Sequence, residues 1–193
     1  DLLELSRIEF GDDAEFGEVA AIAVVGEACS RISSAAEHAE VTLSVEVDPT
    51  LVIHGDRRQL VSAMFNLLDN AVKYSPPGSE IVVASSLSTD PDQVHLDVVD
   101  AGIGIPRRDL DRIFERFYRV DRARSRGTGG TGLGLAIVRH VASNHDGEVT
   151  VESIEGVGST FRLSMPLPIV RPAAPPTPIE PPSAADLIPT GDT

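Results

Sequence analysis

Apolar residues recur along this chain with two alternating periods, and the places where the period changes divide it into elements. From Val19 to Ala39 the apolar positions keep helical spacing in an Ala-rich stretch, which predicts a helix. Val41, Leu43, Val45 and Val47 then alternate as in a half-buried strand, Asp48-Pro49 turns the chain, and Leu51 to His54 can pair back as a short strand. Asp56 is placed to cap a second helix that runs to about Tyr74 and is stopped by Ser75-Pro76-Pro77-Gly78. Ile81 to Ala84 and Val94 to Asp100 read as strands, and Pro106 opens a short helix carrying Leu110, Ile113 and Phe114. A further helix is expected from about Thr131 to Ser143. Strands from Gly147 to Ser153 and from Ser159 to Met165 then flank a turn at Glu155-Gly156-Val157-Gly158. Sequential strands are joined by short turns and the crossovers of a Rossmann-type sheet are not evident. The expected architecture is therefore α+β, a two-layer α/β sandwich in which one mixed, mostly antiparallel sheet carries helices on one face.

The ends differ from this middle. Leu2, Leu3, Leu5 and Ile8 keep helical spacing until Gly11-Asp12-Asp13, so residues 1–10 read as the last turns of a helix begun upstream, in a chain that is part of something longer. Pro166 to Thr193 holds nine prolines in twenty-eight residues, the composition of a disordered or polyproline-like tail from about residue 167. The 193 residues thus give one domain, residues 11–166, with appendages. No apolar run approaches the length of a membrane span, and the first residues lack the basic region of a signal peptide. Cys29 is the lone cysteine, which excludes an intrachain disulfide.

Charge narrows the function. Sixteen basic against thirty acidic residues give a net charge of −14, which repels nucleic acid and anionic lipid. Yet eight of the sixteen basic residues lie between Arg107 and Arg126, a segment of +4 followed at once by the glycine-rich Gly127 to Gly134. Such an island suits a small polyanion such as a nucleoside triphosphate, or else is a solvated loop.

Three segments carry candidate chemistry. Asn66, Asn70 and Lys73 fall on one face of the second helix, where an amide oxygen could ligate Mg²⁺ and the ammonium could meet a phosphate. Asp100 ends an apolar strand before Gly102 and Gly104. Its carboxylate only accepts hydrogen bonds and would select a ligand edge that donates, such as the adenine amine, while the glycines either admit a flat base or simply turn the chain. Gly130-Thr131-Gly132-Leu133-Gly134 runs into a helix whose free N–H groups could face phosphate, without the Lys-Ser/Thr ending of a P-loop. His140 and His145 stand five apart, which does not suit a zinc pair on one helix face.

In this order the segments resemble the N, G1 and G2 boxes of the GHKL ATPases. More narrowly, they resemble the catalytic ATP-binding domain of bacterial sensor histidine kinases: Asn66 to Ser75 for N, Asp100 to Ile105 for G1, Gly130 to Leu135 for G2, with Ile113 to Arg119 similar to the F box. The resemblance implies a Bergerat-type fold that binds ATP and Mg²⁺. Asn70 would ligate the metal, Asp100 would hold the adenine amine, and Asn66 and Lys73 would contact phosphates. Tyr74 would pack near the base beside Gly102, Gly104 and Ile105, and Gly130, Thr131, Gly132, Leu133 and Gly134 would wrap the triphosphate. The stretch from Arg119 to Thr131 would be a mobile ATP lid, with Asn66, Lys73 and Arg119 serving phosphoryl transfer. Gyrase, Hsp90 and MutL relatives that hydrolyse ATP place a glutamate where Asn66 stands; an amide cannot act as that base, so transfer rather than hydrolysis is implied.

None of His38, His54, His95, His140 or His145 lies in a His-Glu/Asp-Leu-Arg/Lys-Thr-Pro setting, so the phosphoacceptor is expected outside this chain, on an upstream dimerisation domain. A response regulator receiver domain would be the next acceptor, and the intact protein would be a dimeric plasma-membrane sensor with this part cytoplasmic. The wording Arg122-Ala123-Arg124-Ser125-Arg126-Gly127 is similar to that of actinobacterial phosphate-responsive sensor kinases. Two other readings stay open: a GHKL serine kinase of the anti-sigma type, which the F box disfavours, and a non-catalytic nucleotide-binding module.

Overall fold

The computed structural model describes residues 15–89, 92–120 and 130–167. The segments expected to be the end of an upstream helix, the core of an arginine-rich lid and a Pro-rich tail lie outside the described residues. In chain order the elements are β1 (Phe16–Ala20), α1 (Ala21–His38), β2 (Thr42–Glu46), β3 (Val52–Asp56), α2 (Arg57–Tyr74), β4 (Glu80–Thr89), β5 (Asp92–Asp100), a 3-10 turn (Arg107–Asp109), α3 (Gly134–Asn144), β6 (Glu148–Ile154) and β7 (Gly158–Pro166).

Five strands form a sheet in the order β2-β4-β5-β7-β6, parallel between β2 and β4 and antiparallel elsewhere. Along β5 the alternation decides the layering. Val94, Leu96 and Val98 are fully buried, whereas Gln93, His95, Asp97 and Val99 face outward and are half-buried or exposed. Ile81 and Val83 of β4 and Phe161, Leu163 and Met165 of β7 extend the same buried face. Against it pack α2, through Leu60, Met64, Leu67 and Leu68, and α3, through Ile137, Val138 and Val141, all essentially inaccessible. Each Leu or Ile buried in this way contributes on the order of 2 kcal/mol. The α+β sandwich read from the sequence is the fold observed.

Several expectations need correction. The residues Leu51 to His54 do not fold back on β2. Their strand β3 pairs antiparallel with β1, a strand the sequence reading leaves out apart from counting Val19 and Ala20 into α1, and the two make a separate ribbon in place of a single sheet. The physical reason is that β3 leads directly into α2 while β1 leads directly into α1, so pairing them ties the starts of both helices together. The Ala21 N–H donating to the Leu51 carbonyl at 2.9 Å closes that corner. With β3 withdrawn, β2 reaches β4 through the α2 crossover, which gives the sheet its parallel pair. The short helix expected after Pro106 is a 3-10 turn of three residues continued by hydrogen-bonded turns. It cannot lengthen into Phe117, whose φ is +62°. Nor does α3 begin at Thr131, because Gly132 at φ +74° stands outside helical geometry and the helix starts at Gly134.

The N-terminus of α2 is where sequence and structure agree most closely. The Asp56 carboxylate accepts from the Arg58 and Gln59 N–H groups at 2.8 and 3.1 Å, and its other oxygen accepts from the Glu15 N–H at 3.0 Å. The Asp56 N–H itself donates to Nε2 of buried His145 at 3.0 Å, while His145 Nδ1 lies 2.7 Å from the Val141 carbonyl. This arrangement needs a neutral imidazole that donates from Nδ1. Burial holds the His145 pKa below its ordinary value, against the opposing pull of the Val141 carbonyl. Asp56→Ala is expected to cost about 1–2 kcal/mol by chemical denaturation, the range of a lost helix cap. An unchanged midpoint would show that the cap contributes nothing here.

Candidate functional site

Helix α2 positions the first group of residues. Asn66 is buried and its Nδ2 donates to the Ser62 carbonyl one turn earlier at 2.9 Å, which fixes the amide and leaves Oδ1 turned toward α3. A Cβ built on Gly134 would lie 2.8 Å from that oxygen. A side chain at the first residue of α3 would therefore have to displace the Asn66 amide. One turn further along, Asn70 is half-buried and its side chain makes no hydrogen bond among the described residues. Lys73 is exposed and paired with Asp69, while Tyr74, at the end of α2, is exposed.

The end of β5 supplies the second group. Asp100 is buried, and its Oδ1 accepts from the Gly102 N–H at 2.8 Å. Burial pushes its carboxyl pKa up, opposed by hydrogen bonds from the Gly102 and Ser159 N–H groups. A Cβ on Gly102 would meet both Asp100 Oδ1 and the Tyr74 carbonyl at 2.7 Å. The Ile103 N–H donates to that same carbonyl at 3.2 Å, so the loop after β5 is seated on the last turn of α2. Gly104 takes φ +66°, and Ile105 is half-buried with its N–H donating to Ser153 Oγ at 2.8 Å.

The third group joins residues 117–119 to the start of α3. Phe117 donates its N–H to the Gly132 carbonyl at 2.8 Å, and both residues have positive φ. Gly130 is half-buried, Thr131 exposed, and Leu133 buried with its carbonyl accepting from Ile137. Arg119 is half-buried and follows directly on Tyr118, whose hydroxyl donates to buried Asp109 at 2.7 Å beneath the Arg112 guanidinium. The Asp109 carboxylate beside it raises the Tyr118 phenol pKa.

The structure thus brings Asn66 to Gly134, and Asp100 and Gly102 to Tyr74. These two meeting points lie at opposite ends of a two-turn stretch of one helix. Eight residues at 1.5 Å rise separate Asn66 from Tyr74, about 12 Å, the scale of a nucleoside triphosphate. Asn70 and Lys73 lie between. Residues 121–129, which carry Arg122, Arg124 and Arg126, are outside the described residues. Sequence reasoning missed Ser153, Gly158 and Ser159 of the β6–β7 hairpin. The signal available was Gly158 itself, a second glycine beyond what the turn at Gly156 requires.

The chain is similar to several known proteins. The sensor-like histidine kinase SenX3 of Mycobacterium tuberculosis (strain ATCC 25618 / H37Rv) is 45% identical over 167 residues, which cover 86% of this chain and 40% of that protein. The mycobacterial sensor histidine kinase MprB superposes with a TM-score of 0.69 at 30% identity, over 79% of this chain and 98% of that one. Full-length ShkA, solved in complex with AMPPNP, gives 0.72 at 26% identity over 86% of this chain and 34% of that one. The chain spans less than half the length of the curated relatives it matches. Among the described residues no helix is long and apolar enough to cross a membrane. Residues 55–169 match the histidine kinase-, DNA gyrase B- and HSP90-like ATPase model, and the chain belongs to that family.

Proposed function

We propose that this chain is the ATP-binding catalytic domain of a sensor histidine kinase, which passes the γ-phosphoryl group of ATP to a histidine outside the chain, from where it goes to an aspartate of a response regulator. The observation that carries the reading is the approach of Gly134 to Asn66 at one end of α2 while Asp100 and Gly102 meet Tyr74 at the other. The first end offers helix N–H groups and an amide to a polyphosphate, and the second offers an acceptor to the adenine amine. The AMPPNP held by ShkA and the kinase names of SenX3 and MprB support the same reading.

In this proposal Asp100 accepts from the adenine amine, and Gly102, Gly104, Ile105 and Tyr74 frame the base. Gly130, Thr131, Gly132, Leu133 and Gly134 present backbone groups to the phosphates. The unengaged Asn70 amide, a hard oxygen donor between the two ends, fits Mg²⁺. When bound there, Mg²⁺ would offset charge on the phosphate oxygens. Lys73 would leave Asp69 to reach the triphosphate, and Arg119 would add positive charge near the γ-phosphate. The incoming imidazole nitrogen bonds to the γ-phosphorus as the bond to the bridging oxygen breaks, and ADP departs. Asn66, whose amide cannot accept a proton from water, leaves hydrolysis slow. Residues 1–10 as the end of a dimerisation helix and residues 167–193 as an appended tail complete the proposed organisation.

The test is to mix this chain and ATP-Mg²⁺ with a separate dimerisation domain carrying its histidine. Acid-labile phosphate on that domain is expected, with little phosphate released in its absence. Acid-stable phosphoserine, or brisk hydrolysis that Asn66→Ala leaves unaltered, would overturn the assignment.

A further inference from the structure

The β6–β7 hairpin lies outside every segment so far given a role, yet two hydrogen bonds fasten it to the loop after β5 and it closes on Asp100 at the end of that strand. The Gly156 N–H donates to the Ile103 carbonyl at 2.8 Å, and the Ile105 N–H donates to Ser153 Oγ at 2.8 Å. Ser159 is the ladder partner of Asp100 across β5 and β7, and its backbone N–H counters the rise of the Asp100 carboxyl pKa. Gly158, at φ +145°, lies so close that an added Cβ would stand 2.1 Å from the Asp100 carbonyl oxygen.

At the centre is the Ser153 hydroxyl. It accepts from Ile105 N–H, it donates to the Gly158 carbonyl at 2.9 Å, and it lies 3.0 Å from Ser159 Oγ. A serine hydroxyl has one proton and two lone pairs. With its proton committed to Gly158, the Ser159 hydroxyl is the donor in their contact, and every bonding position of Ser153 is filled. One oxygen thereby joins the loop, the turn and the strand residue that pairs with Asp100.

We propose that Ser153 is a positioning residue for adenine recognition: it sets the loop from Gly102 to Ile105 and the Ser159 backbone against which the Asp100 carboxylate is aimed. This rests on the nucleotide reading of Asp100 given above. Without the hydroxyl, the Ile105 N–H and the Gly158 carbonyl each lose a partner in a half-buried setting, and the loop has reason to shift toward water. A shift of that kind weakens contacts that demand an exact position, the hydrogen bond to the base edge first, and leaves contacts to the phosphates largely as they were.

The experiment compares Ser153→Ala, Ser153→Thr and Asp100→Asn in this chain. It measures Kd for Mg²⁺-ADP and for Mg²⁺-IDP, whose base carries an oxygen where adenine carries the amine, together with hydrogen exchange at the Ile105 amide. Ser153→Ala is expected to weaken ADP binding about 3- to 10-fold with little change for IDP, and to speed Ile105 exchange. Ser153→Thr, which keeps the hydroxyl, should restore the wild-type values. An unchanged ADP-to-IDP ratio in Ser153→Ala, with Asp100→Asn losing its preference for ADP, overturns the role of Ser153 alone. A ratio that Asp100→Asn also leaves unchanged overturns the adenine site itself. Equal weakening of ADP and IDP by both serine variants would mark a merely structural role and likewise reject the proposal.

Discussion

Asp100→Asn is expected to bind ATP about 10- to 100-fold more weakly and to lose its preference for adenine over guanine or hypoxanthine nucleotides. The magnitude follows from removing a charged partner from a buried hydrogen bond, worth about 1.5–3 kcal/mol. The loss of preference follows from the amide, which can donate to a base oxygen as readily as it accepts from an amine. A pH titration adds a second signature. Burial raises the Asp100 pKa above the ordinary carboxylate value, so the folded state favours the protonated form. The stability this group contributes is therefore fully present below the unfolded pKa and is lost as pH rises through the folded one. Above that point the carboxylate is ionised and, in the role proposed for it, accepts from the adenine amine. Wild-type affinity for ADP should consequently fall as pH drops through the raised pKa, and the Asn variant should lack both slopes. Equal affinity, preference and pH profile in the two proteins would reject the assignment of Asp100.

Gly104→Ala should be the most damaging small substitution in the loop after β5. The residue stands at φ +66°, which costs an L-residue about 1–2 kcal/mol. An added Cβ would also lie 2.1 Å from the Ile154 carbonyl oxygen, a backbone atom that cannot rotate aside. Relief requires loop and turn to separate, which loosens the Gly156-to-Ile103 and Ile105-to-Ser153 hydrogen bonds, each worth about 1 kcal/mol. The expected loss is about 3–4 kcal/mol, read as a lower urea midpoint together with nucleotide binding too weak to saturate. Gly78→Ala is the control. It has φ +80° with open space around it, so only the conformational cost applies and nucleotide affinity should stay as it was. Similar losses from both variants would mean that the contact with Ile154 carries no weight.

How far the sequence anticipated this molecule depends on how local each determinant is. Helix α2 was readable end to end because Asp56 caps it and Ser75-Pro76-Pro77-Gly78 stops it, both acting within a few residues. Strands β5 and β7 announced themselves by alternation, because one face of each is fully buried. Strand β1 did not. Phe16 is exposed, no residue of the strand is fully buried, and Val19 continues the apolar spacing of α1, so nothing within five residues distinguishes it from a helix start. The partner of β3 was equally hidden, being chosen by the helices that both ribbon strands feed. Over residues 106–114 the apolar spacing was genuine, but Ile113 and Phe114 reach the interior from hydrogen-bonded turns while Leu110 stays half-buried. Within the site, the residues that motifs announced are those whose chemistry is local: two amides on one helical face, a carboxylate before glycines, glycines before a helix. Ser153 and Ser159 could not be singled out. A serine in a strand has no pattern of its own, and its importance depends on which loop the fold lays across it.

The placement of β7 bears on the order in which the molecule can be completed as it leaves the ribosome. This strand is the last described in the chain, yet it lies between β5 and β6, supplies Phe161, Leu163 and Met165 to the interior, and pairs its Ser159 with Asp100. A nascent chain that has already displayed α2, β5 and α3 still lacks this wedge. On the proposed assignment of Asp100, capacity to discriminate among purines would therefore arrive late in translation, and a ribosome stalled before Ser159 would carry a polypeptide whose Asp100 still lacks its neighbour across the sheet.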